Sequence, residues 1–82
     1  MEYTKNLSLY IRENYTAGNE TYHLRDIMFD FSYTDKYIKT NLTAKQVAEL
    51  LMHEFSIGCK PKQIKKVKYT CYIKNLRRIE SE

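Results

Sequence analysis

The amino-acid sequence predicts a mainly α-helical domain that ends in a short β element, and three features carry that expectation. Apolar residues recur at helical spacing in three successive segments, a capping box marks one helix start, and alternation replaces the helical period towards the C-terminus. Residues 1–82 form a single domain with a thin core, because a chain this short buries only about 60 % of the surface its unfolded form exposes. With 43 % hydrophobic and 13 % aromatic residues against two glycines and one proline, the composition is that of a chain that folds.

Tyr3, Leu7, Tyr10, Ile11 and Tyr15 share one stripe over residues 3–16, which predicts a first helix stopped at Gly18. Leu7, Leu9 and Ile11 also alternate, and Ala17-Gly18-Asn19 suits a turn, so the alternative is an α+β fold with an N-terminal hairpin packed on the 43–55 helix. Asn19 or Thr21 can cap a second helix, in which Leu24, Ile27, Met28 and Phe31 repeat at i, i+3, i+4 and i+7. Residues 32–40 read as a connection, with Tyr37 and Ile38 turned inward. Thr43 and Gln46 are spaced so that each side chain satisfies a backbone N–H that the helix start leaves unpaired. Behind them Val47, Leu50, Leu51 and Phe55 form the stripe of a third helix over 43–55, with Gly58 as its stop.

Pro61 suits the first position of a further helix, where its missing N–H costs nothing, and Ile64 and Val67 then oppose Lys62, Lys65 and Lys66. That helix ends near Lys68, because its continuation would set Ile64, Val67 and Cys71 opposite Tyr69, Ile73 and Leu76. Beyond it, Val67, Tyr69, Cys71 and Ile73 alternate with Lys68, Thr70, Tyr72 and Lys74 in a stretch rich in β-formers, which reads as a strand.

The net charge of +4 conceals an uneven distribution. Residues 1–58 carry six basic and eight acidic side chains, whereas residues 59–78 carry eight basic ones and no acid. Like charges held this close repel one another in the compact state, and a polyanion offsets that repulsion. Nucleic acid is favoured over a membrane, since no basic helix with a wide apolar face accompanies the charge.

The stretch Leu42-Thr43-Ala44-Lys45-Gln46-Val47-Ala48-Glu49-Leu50-Leu51 resembles the opening helix of a helix-turn-helix, as found in excisionases, MerR-type regulators and the winged modules of transposases. The resemblance covers residues 42–74 and implies a compact helix-turn-helix-like basic binding unit. In it residues 56–60 would be the turn, 61–68 a recognition helix in the major groove, and 69–74 a wing strand. Lys62, Gln63 and Lys66 are then candidates for base contact, because glutamine suits adenine and lysine suits the acceptors of guanine. Lys60, Lys65, Lys68, Lys74, Arg77 and Arg78 would hold phosphates. The linking residues exceed the usual tight turn, and no second wing strand is evident.

Other chemistries are set aside. His23, His53, Cys59 and Cys71 fit no metal-ligand spacing, and a cysteine–histidine nucleophile needs an orienting group and a cleft that so short a chain rarely supplies. Asp26 and Asp30 are spaced as ordinary solvated helix residues, and the isolated glycines build no phosphate loop. The expectation is a non-enzymatic protein without cofactors, a DNA-binding regulator or accessory factor favouring duplex DNA. Its rival is an inhibitor that docks on a host nucleic-acid-handling machine, such as an anti-CRISPR or a polymerase or repair inhibitor. A subunit active only within a complex is a third reading, and self-association as a homodimer stays open. Eight tyrosines and many lysines and asparagines, with no tryptophan, match the codon bias of an AT-rich genome, as in phages and mobile elements. Two cysteines without other signs of a disulfide scaffold, no apolar run long enough to cross a bilayer and no signal-like start point to the cytoplasm.

Overall fold

The computed structural model describes residues 2–34, 40–61 and 69–80. In chain order the elements are α1 (Glu2–Asn14), β1 (Tyr15–His23), α2 (Leu24–Thr34), α3 (Ala44–Leu51), β2 (Ile57–Pro61) and β3 (Tyr69–Arg78). The strands form one antiparallel sheet in the order β1-β3-β2, with the C-terminal strand in the centre. The fold is therefore α+β, and the expectation of a mainly helical domain with one short β element is corrected. The N-terminal hairpin of the alternative is absent too, because α1 is helical as its stripe predicts and β1 pairs with distant β3.

α1 and α2 bury the stripes that their periodicity announces, whereas in α3 Leu50 of the expected stripe is 42 % exposed and Ala48 is buried instead. Tyr3, Leu7, Tyr10 and Ile11 of α1, Leu24, Ile27 and Phe31 of α2, and Val47, Ala48 and Leu51 of α3 join Tyr15, Cys71, Ile73 and Leu76 of the sheet in one core. Phe31 anchors the α1–α2 contact, with its ring 5.5 Å from that of Tyr3 and 5.3 Å from that of Tyr10. At α3 the capping box is present: Gln46 N donates to Thr43 Oγ1 at 3.2 Å, and Thr43 N donates to Gln46 Oε1 at 2.9 Å. The helix ends four residues earlier than the stripe suggests. Both Glu54 N and Phe55 N donate to the Leu51 carbonyl, at 2.9 and 3.1 Å, and this turn folds Phe55 back onto the core with the Arg12 guanidinium 5.4 Å from its ring centre.

The unforeseen elements are β1 and β2. Asn14 ends α1 by donating its side-chain amide to the Tyr10 carbonyl at 2.8 Å, while its own carbonyl accepts from Ile79 N at 2.8 Å, so the chain turns straight into the sheet. Asn19 and Thr21, the expected caps of α2, lie inside β1, as does Gly18, the expected stop of α1. β1 runs along β3 with a bulge: Ala17 and Glu20 both face Leu76, which leaves Gly18 and Asn19 as extra residues, and on β3 Asn75 adopts φ 62°. Gly58 likewise falls inside β2.

The expected turn at 56–60 gives way to β2, which also takes in Pro61: Ile57, Cys59 and Pro61 face Ile73, Cys71 and Tyr69. Pro61 ends an edge strand, the other place where a missing N–H is tolerated. Residues 62–68, the rest of the helix expected from Pro61, lie outside the described residues, as do Tyr37 and Ile38. The expected wing strand at 69–74 is the first half of β3. Cys59 and Cys71 stand directly opposite one another and form a disulfide, Cα–Cα 4.0 Å, across the β2–β3 pair. None of the described helices is long and apolar enough to cross a membrane.

Candidate nucleic-acid interface

The three described helices contribute to the core on one side of the sheet, and the sheet residues buried there are Tyr15, Cys71, Ile73 and Leu76. Because side chains alternate across a strand, Thr70, Tyr72 and Lys74 of β3 point to the other side. Gly58 and Lys60 join them there, being in register with Tyr72 and Thr70, and so does His23, in register with Tyr72. The bulge at Asn75 shifts the alternation by one, so that Leu76 still faces the core and Arg77, opposite Thr16, faces outward. No residue at these outward positions is buried.

The outward face is polar, aromatic and positively charged. The rings of His23 and Tyr72 meet at 4.7 Å between centroids and 54° between planes. Lys74 reaches across the face toward β2, its Nζ 3.5 Å from the point where a β-carbon on Gly58 would stand. Among the described residues, Lys60, Lys74 and Arg77 make no ion pair. The strands contain one carboxylate, Glu20, which accepts a hydrogen bond from the Tyr22 hydroxyl and stands in register with core-facing Leu76.

Arg78 sits differently from the other three. Its guanidinium donates to the Tyr15 hydroxyl at 3.1 Å and to the Asp30 carboxylate at 3.4 Å, and lies over the Tyr15 ring. Burial raises the Tyr15 pKa against the opposing effect of this cation. Its backbone N–H donates to Tyr22 Oη at 3.0 Å, so Arg78 ties the end of β3 to β1 and α2. Of the expected contact residues, then, Lys60, Lys74 and Arg77 share one face, Arg78 is held by the fold, and Lys62, Gln63, Lys65, Lys66 and Lys68 lie outside the described residues, in the segment that joins β2 to β3.

Two neighbours were not among the expected contacts. His23 is remote in sequence from the basic segment, and only the β1–β3 pairing brings it there. Lys45 at the start of α3 places its ammonium 4.6 Å from the centre of the Tyr69 ring, at the end of the β2–β3 pair that leads into residues 62–68. Its i,i+4 partner Glu49 lies 3.6 Å away. Among the described residues, no group of three or more histidine, cysteine, aspartate or glutamate side chains could hold a metal ion. Comparison of the chain with family models, with curated proteins and with solved structures finds no match.

Proposed function

We propose that this is a non-enzymatic nucleic-acid-binding protein, a regulator or accessory factor, whose contact surface is the outward face of the β2–β3 pair. The observation that carries the reading is the set Lys60, Lys74 and Arg77, presented on one uncovered face without a carboxylate partner among the described residues. Cations that serve the fold are matched within it, as Arg78 is by Asp30 and Arg12 by Glu54 at 3.0 Å. Four further lysines, at 62, 65, 66 and 68, occupy the segment between the two strands. Residues 69–74, in the first half of β3, would be the wing strand of the family that residues 42–51 resemble. Under that reading α3 is the helix beside the wing.

Phosphate neutralisation by lysine and arginine supplies most nonspecific affinity, and its signature is a linear fall of log K with log salt. Each phosphate contact on duplex DNA contributes about −0.9 to that slope, so removal of Lys60, Lys74 and Arg77 lowers its magnitude by about 2.7. The test is a titration of random-sequence duplex at 50–200 mM salt with the wild type and with K60E/K74E/R77E. All three side chains are exposed, so the variant is expected to keep its circular dichroism spectrum and lose most binding. A salt-independent wild type, or a variant with the wild-type slope, removes the proposal.

A further inference from the structure

We propose that the His23–Tyr72 pair is a stacking platform for an unpaired base, so that this face takes single-stranded nucleic acid in preference to duplex. The inference rests on the nucleic-acid reading above and adds the class of ligand. Aromatic residues on the sheet are otherwise occupied: Tyr15 is buried, Tyr22 packs edge-on against it at 5.0 Å, and Tyr69 lies under the Lys45 ammonium. Tyr72 instead stands in the middle of the outward face, and its hydroxyl has no hydrogen-bond partner among the described residues.

The surroundings of that ring suit a base. On the β1 side it meets the exposed imidazole of His23. On the β2 side its cross-strand neighbour is Gly58, which supplies no side chain, and the group that reaches into that space is the Lys74 ammonium. An aromatic ring beside a glycine gap, with a cation at its edge, offers a π-face for stacking and a charge for the attached phosphate. Lys60 and Arg77 lie farther along the same face, where a backbone leaving the base in either direction meets positive charge. Duplex bases are stacked on each other and offer no free face, so this platform discriminates in favour of single strands, and aromatic stacking does so with little sequence preference.

Fluorescence polarisation with a labelled ten-residue oligothymidylate and a duplex of equal length, in one buffer, reads the preference directly. The wild type is expected to bind the single strand more tightly. Tyr72→Ala should weaken single-strand binding about tenfold while leaving duplex binding nearly unchanged, and Tyr72→Phe should restore it. Gly58→Val, which fills the gap and pushes the Lys74 ammonium aside while leaving Tyr72 and Lys74 in the chain, should also weaken single-strand binding. Photocrosslinking of a bromouracil-containing oligonucleotide to the wild type should map by mass spectrometry to Tyr72 or His23. Equal loss on both ligands, no loss on either, or a crosslink confined to another part of the chain overturns the platform while leaving the basic surface standing. Absence of salt-sensitive binding to any nucleic acid removes both.

Discussion

A β-carbon on Gly18 would stand 2.5 Å from the Arg77 β-carbon and 2.9 Å from the Leu76 carbonyl oxygen. The obstacle is main chain and a fixed first side-chain atom, neither of which can swing aside, so β1 and β3 would have to separate at the bulge. Gly18→Ala is expected to lower stability by about 1–3 kcal/mol in a urea titration, the usual range for forcing atoms into filled space. Gly58→Ala meets only the flexible end of Lys74, at 3.5 Å, and should cost less than about 0.5 kcal/mol. The sequence marks both glycines as punctuation, yet one is a close strand approach and the other an open sheet position. Their meaning depends on which strand lies alongside, and no local pattern records that.

Glu54 accepts a hydrogen bond from the Arg12 guanidinium at 3.0 Å, and its carboxyl pKa is lowered. Burial raises its pKa, but hydrogen bonds from Arg12 and Ser8 and the charge of Arg12 outweigh this, so the net shift is below the ordinary 4.5. A carboxylate with a depressed folded-state pKa stabilises above its unfolded pKa, and the contribution disappears as pH falls through the lower, folded value. Because the pair is largely exposed, Glu54→Gln is expected to cost less than about 1 kcal/mol at pH 7. The difference from wild type should vanish in acid, and thermal melts at pH 7 and below pH 4 read both ends.

Among the elements, α3 was the most legible at its start, which is written in two side chains that satisfy each other, but Leu50 of its expected face is exposed and Ala48 is buried instead. β2 and β3 were half legible. The alternation of Tyr69, Cys71 and Ile73 announced β3, but Ile57-Gly58-Cys59-Lys60-Pro61 contains two residues that usually end structure, and its strand state comes from pairing with β3. β1 was hidden because Thr16 to Thr21 contribute no buried side chain; the segment is held by backbone bonds to the central strand. The Cys59–Cys71 bridge cross-links β2 to β3 over a sequence separation of 12, and a loop of this length restricts the unfolded chain by about 3 kcal/mol in the entropic account. Reduction, or Cys59→Ser with Cys71→Ser, is expected to lower stability by up to that amount. Since β3 is the central strand and the bridge joins only an edge to it, the far-ultraviolet spectrum should persist at low temperature. Loss of all structure on reduction would show that the bridge holds the whole sheet.

For the molecule as a whole, the charge asymmetry was the most informative property in the sequence, though it did not show where the charges would stand. Only the β1-β3-β2 order reveals that Lys60, Lys74 and Arg77 share a face with His23 and Tyr72 while Arg78 turns back into the fold. The same concentration of eight basic side chains within residues 59–78 acts on stability, because like charges this close in sequence repel one another and the repulsion relaxes when the chain unfolds. Screening by salt shortens the reach of that repulsion, from about 30 Å at 0.01 M to about 8 Å at 0.15 M. The melting temperature should therefore rise with sodium chloride over this range, while the proposed affinity for nucleic acid falls. A short oligonucleotide at low salt should raise it too, by linkage to binding of the folded state. In K60E/K74E/R77E both responses should shrink together, since one set of charges produces them. A melting temperature that falls as salt is added would mean that attractive pairs such as Arg12–Glu54 and Arg78–Asp30 outweigh the repulsion, and that the basic face imposes no cost on the fold.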